Sequence, residues 1–435
     1  MRSPVPLRTL LSIGLCLAAL LAGAEASQAQ PQALLSSIAR TTEVRSGRYR
    51  PVEPVDLVRF EPDLSQETYP FLTRQNLEAI LGDVNRNGEF DDAPADIDAL
   101  TWLGTTSRPS VYDLVLSFAA ASTPLGGGVV LDGDLVRLQP GGSFLVVASE
   151  AEISSVTATR TIDVDAAAFL PSGELLLSFT EDEVTTHALL IQQNGGSSTL
   201  GDETILGWKP GTTEVRIVYT TADVIQMVSR ATQKTISSVV NVVGLAPDPV
   251  NPGAVLFTVA STAKGLVGAV FTTAGGGAYA YVNGKVLDGT GEWGLGAAAT
   301  LDALLTYAGG KDPLALEVEG KRLPAPGSGA AEVRFHGAVP QTTVQFVLSY
   351  AGPPAPWPLP SPLHGVLFGY PTPGDPLFGW SIADPRFRAV ADAEGRGRLP
   401  LAPGAHPPGF SVLIQALDLA SGEVSEPVVI DLVQP

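Results

Sequence analysis

Short apolar runs separated by glycine- and proline-rich turns make up most of the chain after residue 97. Runs of this kind are typical of β-strands, because a helix needs a longer apolar periodicity. One exception lies earlier, where Thr73 is a suitable N-cap and Leu77, Ile80 and Leu81 recur at helical spacing. The pattern therefore predicts an all-β fold with a short helix near the N-terminus.

The apolar pattern also repeats along the chain. Ile-Asp-Ala at 97–99 precedes the run LVLSF at 114–118, and Val-Asp-Ala at 164–166 precedes LLLSF at 175–179. A Gly-Asp pair follows each run at a similar distance, and a weaker third copy extends over residues 239–282. Each unit has room for about four short strands.

Four-stranded antiparallel units of this kind resemble the blades of β-propellers. Propellers usually have about four or more blades, and this chain has two clear copies and a weak third. Either the N-terminal segment and later strands complete a ring, or the units stack as an irregular β array. Asp98 and Asp165 open their repeats before an apolar strand, where a buried aspartate commonly binds the backbone of a neighbouring turn. We expect that structural role for both.

The composition changes beyond the repeats. Proline, glycine and serine dominate residues 324–329, and short strand-like runs such as 332–335, 343–350 and 411–416 follow. Such runs with intervening turns favour a C-terminal β-sandwich. The predicted organisation is a signal peptide (1–26), an extended leader (27–63), a helix and calcium-type loop (64–96), a propeller-like β-repeat domain (97–311), a linker (312–329) and a β-sandwich (330–435).

The N-terminus has the pattern of a secretory signal peptide. Arg2 and Arg8 precede an apolar stretch at 10–21 and an Ala-Glu-Ala cleavage site at 24–26. The stretch is too short to span a bilayer, so we expect no membrane span in the mature chain. The sequence predicts secretion, or a place at the exterior of the cell envelope, after cleavage.

The chain is strongly acidic, with a formal net charge of -19 from 45 acidic and 26 basic residues. Such a chain repels phosphate backbones, so nucleic acid is not an expected partner, and it attracts divalent cations. The single cysteine, Cys16, lies in the predicted signal peptide. A mature secreted chain without disulfides depends on core size or bound ions for stability, which favours a calcium site.

An acidic loop follows the predicted helix. Alternate oxygen-bearing residues precede Gly88, and this arrangement resembles EF-hand loops, including the shortened loops of dockerin modules. Pro94 stands where the family places its last acidic ligand, so Asp96 is taken as the substitute. The resemblance implies calcium ligands at Asp83, Asn85, Asn87, Glu89, Asp91 and Asp96. The alternative is an acidic turn whose side chains cap their own backbone.

No sequence motif identifies a reaction. The four histidines are widely separated, and neither a G-x-S-x-G elbow nor a phosphate-binding loop occurs. We expect a non-catalytic, calcium-stabilised binding or structural module whose partner is an extracellular protein or polysaccharide. The alternative is a calcium-dependent hydrolase that resembles propeller esterases and phosphatases. Acidic side chains converging at the centre of a ring favour the hydrolase, and scattered acids favour the binding module.

Overall fold

The computed structural model describes residues 32–39, 52–60, 68–81, 94, 96–103, 111–119, 123–125, 128–139, 143–160, 162–236, 241–260, 266–289, 301–308, 314–318, 331–350, 356–358, 366–368, 376–401, 410–421 and 423–432. The fold is mostly β, with several antiparallel sheets, as the sequence predicts.

The strands are short and follow one another closely along the chain. The first group is β1 (Gln32–Ile38), β2 (Leu57–Phe60), β3 (Thr68–Leu72), β4 (Ala99–Trp102), β5 (Leu114–Ser117), β6 (Thr123–Leu125), β7 (Gly128–Val130), β8 (Leu135–Leu138), β9 (Phe144–Ala148), β10 (Val164–Phe169) and β11 (Leu175–Phe179). The second group is β12 (Glu183–Val184), β13 (Thr199–Leu200), β14 (Ile205–Trp208), β15 (Val215–Tyr219), β16 (Val242–Pro247), β17 (Val255–Val259), β18 (Phe271–Thr272), β19 (Ala278–Tyr279), β20 (Tyr281–Val282), β21 (Lys285–Val286) and β22 (Leu301–Ala308). The third group is β23 (Ala315–Val318), β24 (Ala331–His336), β25 (Thr343–Tyr350), β26 (Pro356–Pro358), β27 (Val366–Phe368), β28 (Arg388–Val390), β29 (Gly397–Leu401), β30 (Phe410–Asp418) and β31 (Val428–Leu432).

Four four-stranded sheets are built from the strands up to β22. We call them sheet 1 (β4-β5-β8-β9), sheet 2 (β10-β11-β14-β15), sheet 3 (β16-β17-β18-β19) and sheet 4 (β22-β1-β2-β3). Sheets 1 to 3 correspond to the three sequence repeats. Sheet 4 combines both ends of this region, because β22 pairs antiparallel with β1, the first described strand.

Sheet 4 and the C-terminal sheets depart from the predicted segments in two places. β1 and β2 belong to residues 27–63, which the sequence suggested as an extended leader, and they pair as full strands. β23 lies within the predicted linker 312–329 and pairs with β24. Both differences have the same cause: these runs are short, and only their distant partners along the chain identify them as strands.

The first strands of the four sheets, β4, β10, β16 and β22, all contact one another. Each neighbouring pair of sheets also shares an apolar core. Separate clusters of buried side chains lie between sheets 1 and 2, 2 and 3, 3 and 4, and 4 and 1. Strands buried on both faces have continuous apolar runs, which explains sequences such as Leu175–Phe179.

Buried hydroxyl groups link each sheet to the next. Ser117 Oγ donates to Val164 O at 2.9 Å, and Ser178 Oγ donates to Val242 O at 3.0 Å. Ser37 Oγ, on β1 of sheet 4, donates to the carbonyl oxygen of Ile97 in front of sheet 1, at 2.8 Å. A hydroxyl buried in an apolar strand needs an acceptor, and in three sheets the backbone of the following sheet supplies it.

The C-terminal strands form a three-stranded sheet, β23-β24-β29, and a four-stranded sheet, β28-β25-β30-β31. The two sheets share one apolar core, to which Phe335, Phe346 and Ile430 contribute. This part also contacts the N-terminal helix, since Asn76 Nδ2 donates to Pro427 O at 2.9 Å.

Helices interrupt the strands at five places in the described residues. They are α1 (Arg74–Leu81), α2 (Glu150–Thr157), α3 (Ala188–Gln193), α4 (Thr221–Thr232) and α5 (Pro376–Ala383), with 3₁₀ turns at Val111–Asp113, Ala274–Gly276 and Pro385–Phe387. α1 is the predicted helix, and Thr73 Oγ1 accepts from Asn76 N at its start. The other four helices are not among the elements predicted from the sequence. α4 begins with a capping box between Thr220 and Asp223, which is a readable signal.

Candidate metal centre

The predicted calcium loop is mostly outside the described residues. This applies to five of the six predicted ligands, namely Asp83, Asn85, Asn87, Glu89 and Asp91. The sixth, Asp96, is described, and its Oδ1 accepts from Ile97 N at 2.9 Å. The loop itself therefore stays a prediction, and the structure bears only on the residue at its end.

A β-bulge occurs at the same position of three sheets. In sheet 2 the pairing runs from Val164↔Phe179 to Ala166↔Ser178, so Asp165 is the extra residue. Val243 is the extra residue of sheet 3. In sheet 4 the register shifts opposite Ser37, at Asp302 and Ala303. A bulge bends the strand and redirects its side chain, and bulges are frequent beside functional sites.

Three carboxylates come together where these first strands begin. Asp96, Asp98 and Asp302 each offer an oxygen, and the three oxygens lie within 4.8 Å of one another. Asp98 is 8% exposed and Asp302 is 7% exposed. Among the described residues, no group donates a hydrogen bond to either of these two carboxylates and no basic side chain pairs with them. Two buried acids without a protein donor or cation are costly to keep ionised.

The carboxyl groups of all three acids have raised pKa values. Burial, followed by the charges of Asp165 and other nearby acids, raises the pKa of Asp98 to about 8. Burial also raises the pKa of Asp302 well above its ordinary value, with Asp165, Asp96 and Asp98 adding to the effect. The pKa of Asp96 rises to about 6 because of burial. The site therefore favours either bound protons or a bound cation.

Asp165 forms the next part of the acidic centre. Burial raises its pKa to about 7, although a hydrogen bond from Asn241 Nδ2 at 2.5 Å partly offsets the effect. Asn241 Oδ1 is buried without a hydrogen-bond partner among the described residues. An amide oxygen is a good ligand for a hard cation, so Asn241 adds a second kind of ligand at the edge of the centre.

The acidic centre has a repeated plan. Asp96, Asp163 and Asn241 each lie two residues before the bulge-type position of their sheet, which is occupied by Asp98, Asp165 and Val243. Burial, together with several neighbouring acids, also raises the pKa of Asp163 to about 6. Sheet 3 has an apolar residue, Val243, at this position, whereas sheets 1, 2 and 4 have Asp98, Asp165 and Asp302.

The described residues do not contain the backbone contact that is expected from the sequence for Asp98 and Asp165. Neither carboxylate accepts a hydrogen bond from the backbone of a neighbouring turn in the described residues, and the donor to Asp165 is a side chain. Asp302 was missed, although Leu-Asp-Ala at 301–303 matches the motifs at 97–99 and 164–166. That match was the available signal.

The chemistry of this centre is limited by its ligand types. Its side chains offer only carboxylate and amide oxygens, which suit hard cations such as Ca²⁺, Mg²⁺ or Mn²⁺ and do not suit the softer ions that prefer sulfur. No histidine or cysteine belongs to this group among the described residues.

Comparisons with known proteins give little information. No family model matches the chain, and no curated protein matches it. Among solved structures, the extracellular domain of a hybrid two-component system of B. thetaiotaomicron is 7% identical, with a TM-score of 0.21, over 92% of this chain and 57% of that one. Escherichia coli alpha-2-macroglobulin activated by porcine elastase is 12% identical, with a TM-score of 0.17, over 94% of this chain and 32% of that one. Scores this low carry no argument.

Within the described ranges, every helix is too short or too polar to cross a bilayer.

Proposed function

We propose that this chain is a secreted, calcium-stabilised β-repeat protein that binds one cation where the first strands of its four sheets meet. The observation that carries the proposal is the pair of buried carboxylates, Asp98 and Asp302, which lie beside Asp96 and have no donor among the described residues. A divalent cation neutralises such a cluster and replaces the missing donors.

The four sheets are proposed to be the blades of a small propeller. Three observations support this arrangement: the first strands contact one another, each neighbouring pair of sheets has its own core, and hydroxyl groups connect three of the junctions. In this arrangement β1 to β3 complete the last blade and join the chain's start to its repeats. The two C-terminal sheets, which share one core, form the proposed β-sandwich.

Calcium is the proposed cation for two reasons. First, Ca²⁺ accepts six to eight oxygen ligands in flexible geometry at about 2.3 to 2.6 Å, whereas Mg²⁺ requires near-octahedral geometry. The centre brings together oxygens of Asp96, Asp98 and Asp302, with Asp165 and Asn241 beside them, and this number of oxygens suits the ion that accepts more ligands. Second, Asp96 ends the loop that resembles EF-hands, so the loop and the centre meet at one residue. A cation at the centre also braces the entry of the first repeat.

A structural or binding role fits the burial of the site better than catalysis. Asp98 and Asp302 are less than a tenth exposed, which leaves a substrate little access to them. An extracellular protein or polysaccharide is the proposed partner of the assembled fold. The second candidate is a calcium-dependent hydrolase, and it is favoured by one observation: the acids converge at the centre of the four sheets and are not scattered.

The test is calcium binding by the mature chain and by two variants with equal changes in charge. After chelation, calorimetry with calcium should show binding by the wild type and no central-site binding by Asp302→Asn. Asp248→Asn is the matched control, because Asp248 is buried but accepts hydrogen bonds from Val250 N and Asn251 N in its own turn. It should bind calcium normally.

A wild type that binds no calcium, or an Asp302→Asn variant that binds as tightly, contradicts the proposal. Calcium-dependent hydrolysis of carboxyl or phosphate esters by the wild type, lost in Asp302→Asn, supports the hydrolase instead.

A further inference from the structure

Ser37, on β1, contacts the backbone beside two of the three clustered acids. Its Oγ donates to the carbonyl oxygen of Ile97, the residue directly before Asp98, at 2.8 Å. Ser37 Oγ also accepts a hydrogen bond from the backbone N of Ala303, the residue directly after Asp302, at 3.0 Å. One fully buried hydroxyl therefore fixes the backbone on both sides of the cluster.

The neighbouring serine strengthens this bridge from the same strand. Ser36 Oγ donates to Ala303 O and is also fully buried. Ala303 thus has its N–H and its carbonyl group bound by two successive side chains of β1. This arrangement holds the bulge that contains Asp302, where the register between β1 and β22 shifts.

The equivalent residues at the other junctions contact strands outside the Asp96, Asp98 and Asp302 cluster. Ser117 Oγ donates to Val164 O, directly before Asp165, and Ser178 Oγ donates to Val242 O, directly before Val243. Thr258 has the equivalent place in sheet 3, and its Oγ1 is buried without a hydrogen-bond partner among the described residues. Of these bridges, only the one from Ser37 connects two carboxylates of the Asp96, Asp98 and Asp302 cluster.

We propose that Ser37 is a positioning residue for the cation site: its hydroxyl sets the separation of Asp98 and Asp302, and so couples cation binding to the pairing of the N-terminal strand. The inference rests on the proposed function. Groups that orient metal ligands without touching the ion are worth about 10- to 100-fold in affinity. Ser37 acts in that way through two backbone contacts.

The experiment compares Ser37→Ala with Ser425→Ala in the full mature chain, using calcium calorimetry and terbium luminescence. Ser425, beside β30 of the C-terminal sheets, is the matched control, because its buried Oγ also accepts from one backbone N, that of Ala416, and donates to one backbone carbonyl, that of Glu426. Both variants lose a buried hydroxyl group with two backbone hydrogen bonds, so both should unfold at lower temperature in chelator. Calcium affinity should fall about 10-fold or more in Ser37→Ala and stay at the wild-type value in Ser425→Ala. Ser37→Thr keeps a hydroxyl group at this position, so it should lose less affinity than Ser37→Ala.

The outcomes separate the two proposals. Absence of calcium and terbium binding by the wild type overturns the proposed function. Binding by the wild type with equal affinities for Ser37→Ala and Ser425→Ala overturns the role of Ser37 alone. If Ser37→Ala does not fold, Ser37→Cys decides the question, because a thiol keeps the volume but is a weak donor and acceptor. Unchanged affinity in Ser37→Cys contradicts the inference.

Discussion

Buried aspartates occur in two regions of this molecule, and the hydrogen-bond donors around their carboxylates differ between the two. In the C-terminal sheets, Asp418 is completely buried and its carboxylate accepts from Val339 N, Thr342 Oγ1, Ala420 N and Ser421 Oγ, at 2.8 to 3.2 Å. Four donors compensate for its lost hydration. The charge of Asp418 is therefore satisfied within the protein and needs no ion.

At the meeting point of the four sheets, Asp98 and Asp302 have no such donors among the described residues. Asp98 and Asp302 are nearly as buried, and their closest charged neighbours are other acids. The difference teaches that burial alone does not identify a site, since Asp418 is the more buried of these carboxylates. What distinguishes the central acids is their mutual proximity together with the lack of a donor in the described part of the chain, and that combination favours bound protons or a bound cation.

The largest expected effect is on the pH dependence of stability. In the folded state the pKa of Asp98 is about 8 and that of Asp165 about 7, compared with 3.8 as the ordinary value. Between pH 3.8 and about pH 8, the folded chain therefore binds more protons than the unfolded chain, so its unfolding free energy falls as pH rises. The expected loss in chelator is about 1.4 kcal/mol per pH unit for each carboxyl that stays protonated.

Denaturant unfolding at about pH 5 and about pH 8 measures this loss, with and without calcium. Saturating calcium should reduce the loss strongly, because the ion takes the place of the protons. Equal pH dependence in chelator and in calcium would remove the distinction between the two regions.

The next largest effect is the contrast between the two kinds of buried acid. Asp418→Ala leaves four donors without their acceptor, so we expect a loss of about 3 kcal/mol or more in unfolding free energy, with or without calcium. Asp302→Asn removes a repelling charge, so in chelator at about pH 8 it should stabilise the chain by about 1 kcal/mol or more. Chemical denaturation of both variants in chelator gives the two signs. Destabilisation by both substitutions would show that Asp302 has donors after all.

The sequence contained much of this fold and only part of the site. Ile-Asp-Ala at 97–99 and Val-Asp-Ala at 164–166 identified two sheets, because each motif is followed by a run ending in Ser-Phe. Leu-Asp-Ala at 301–303 has no such run after it. Its partner strand is the run LLSSI at 34–38, near the start of the chain, and pairing across this distance leaves no local signal.

The helices show a different limit of sequence reasoning. The capping box of Thr220 and Asp223, followed by Val224, Met227 and Val228 at helical spacing, could have predicted α4. The position of Asp302 beside Asp98 could not have been read in the same way. It depends on how four sheets pack, which is set by apolar contacts between residues far apart in the chain.

The smallest expected effect comes from the predicted ligands of the acidic loop. They would add a third environment to the comparison, namely acids that bind an ion in a loop. Extracellular calcium modules commonly bind at about 10⁻⁴ to 10⁻³ M. With free calcium near its dissociation constant, the loop would add about 0.4 kcal/mol to the stability of the chain.

In calorimetry, Asp83→Ala should remove only the weak binding phase of the loop and leave the phase of the central site intact. Asp302→Asn should remove the central phase and leave the weak phase intact. Asp96 belongs to both ligand sets, so Asp96→Asn should weaken both phases. Unchanged weak binding in Asp83→Ala would mean that the loop is an acidic turn, and that calcium in this chain depends on the central carboxylates alone.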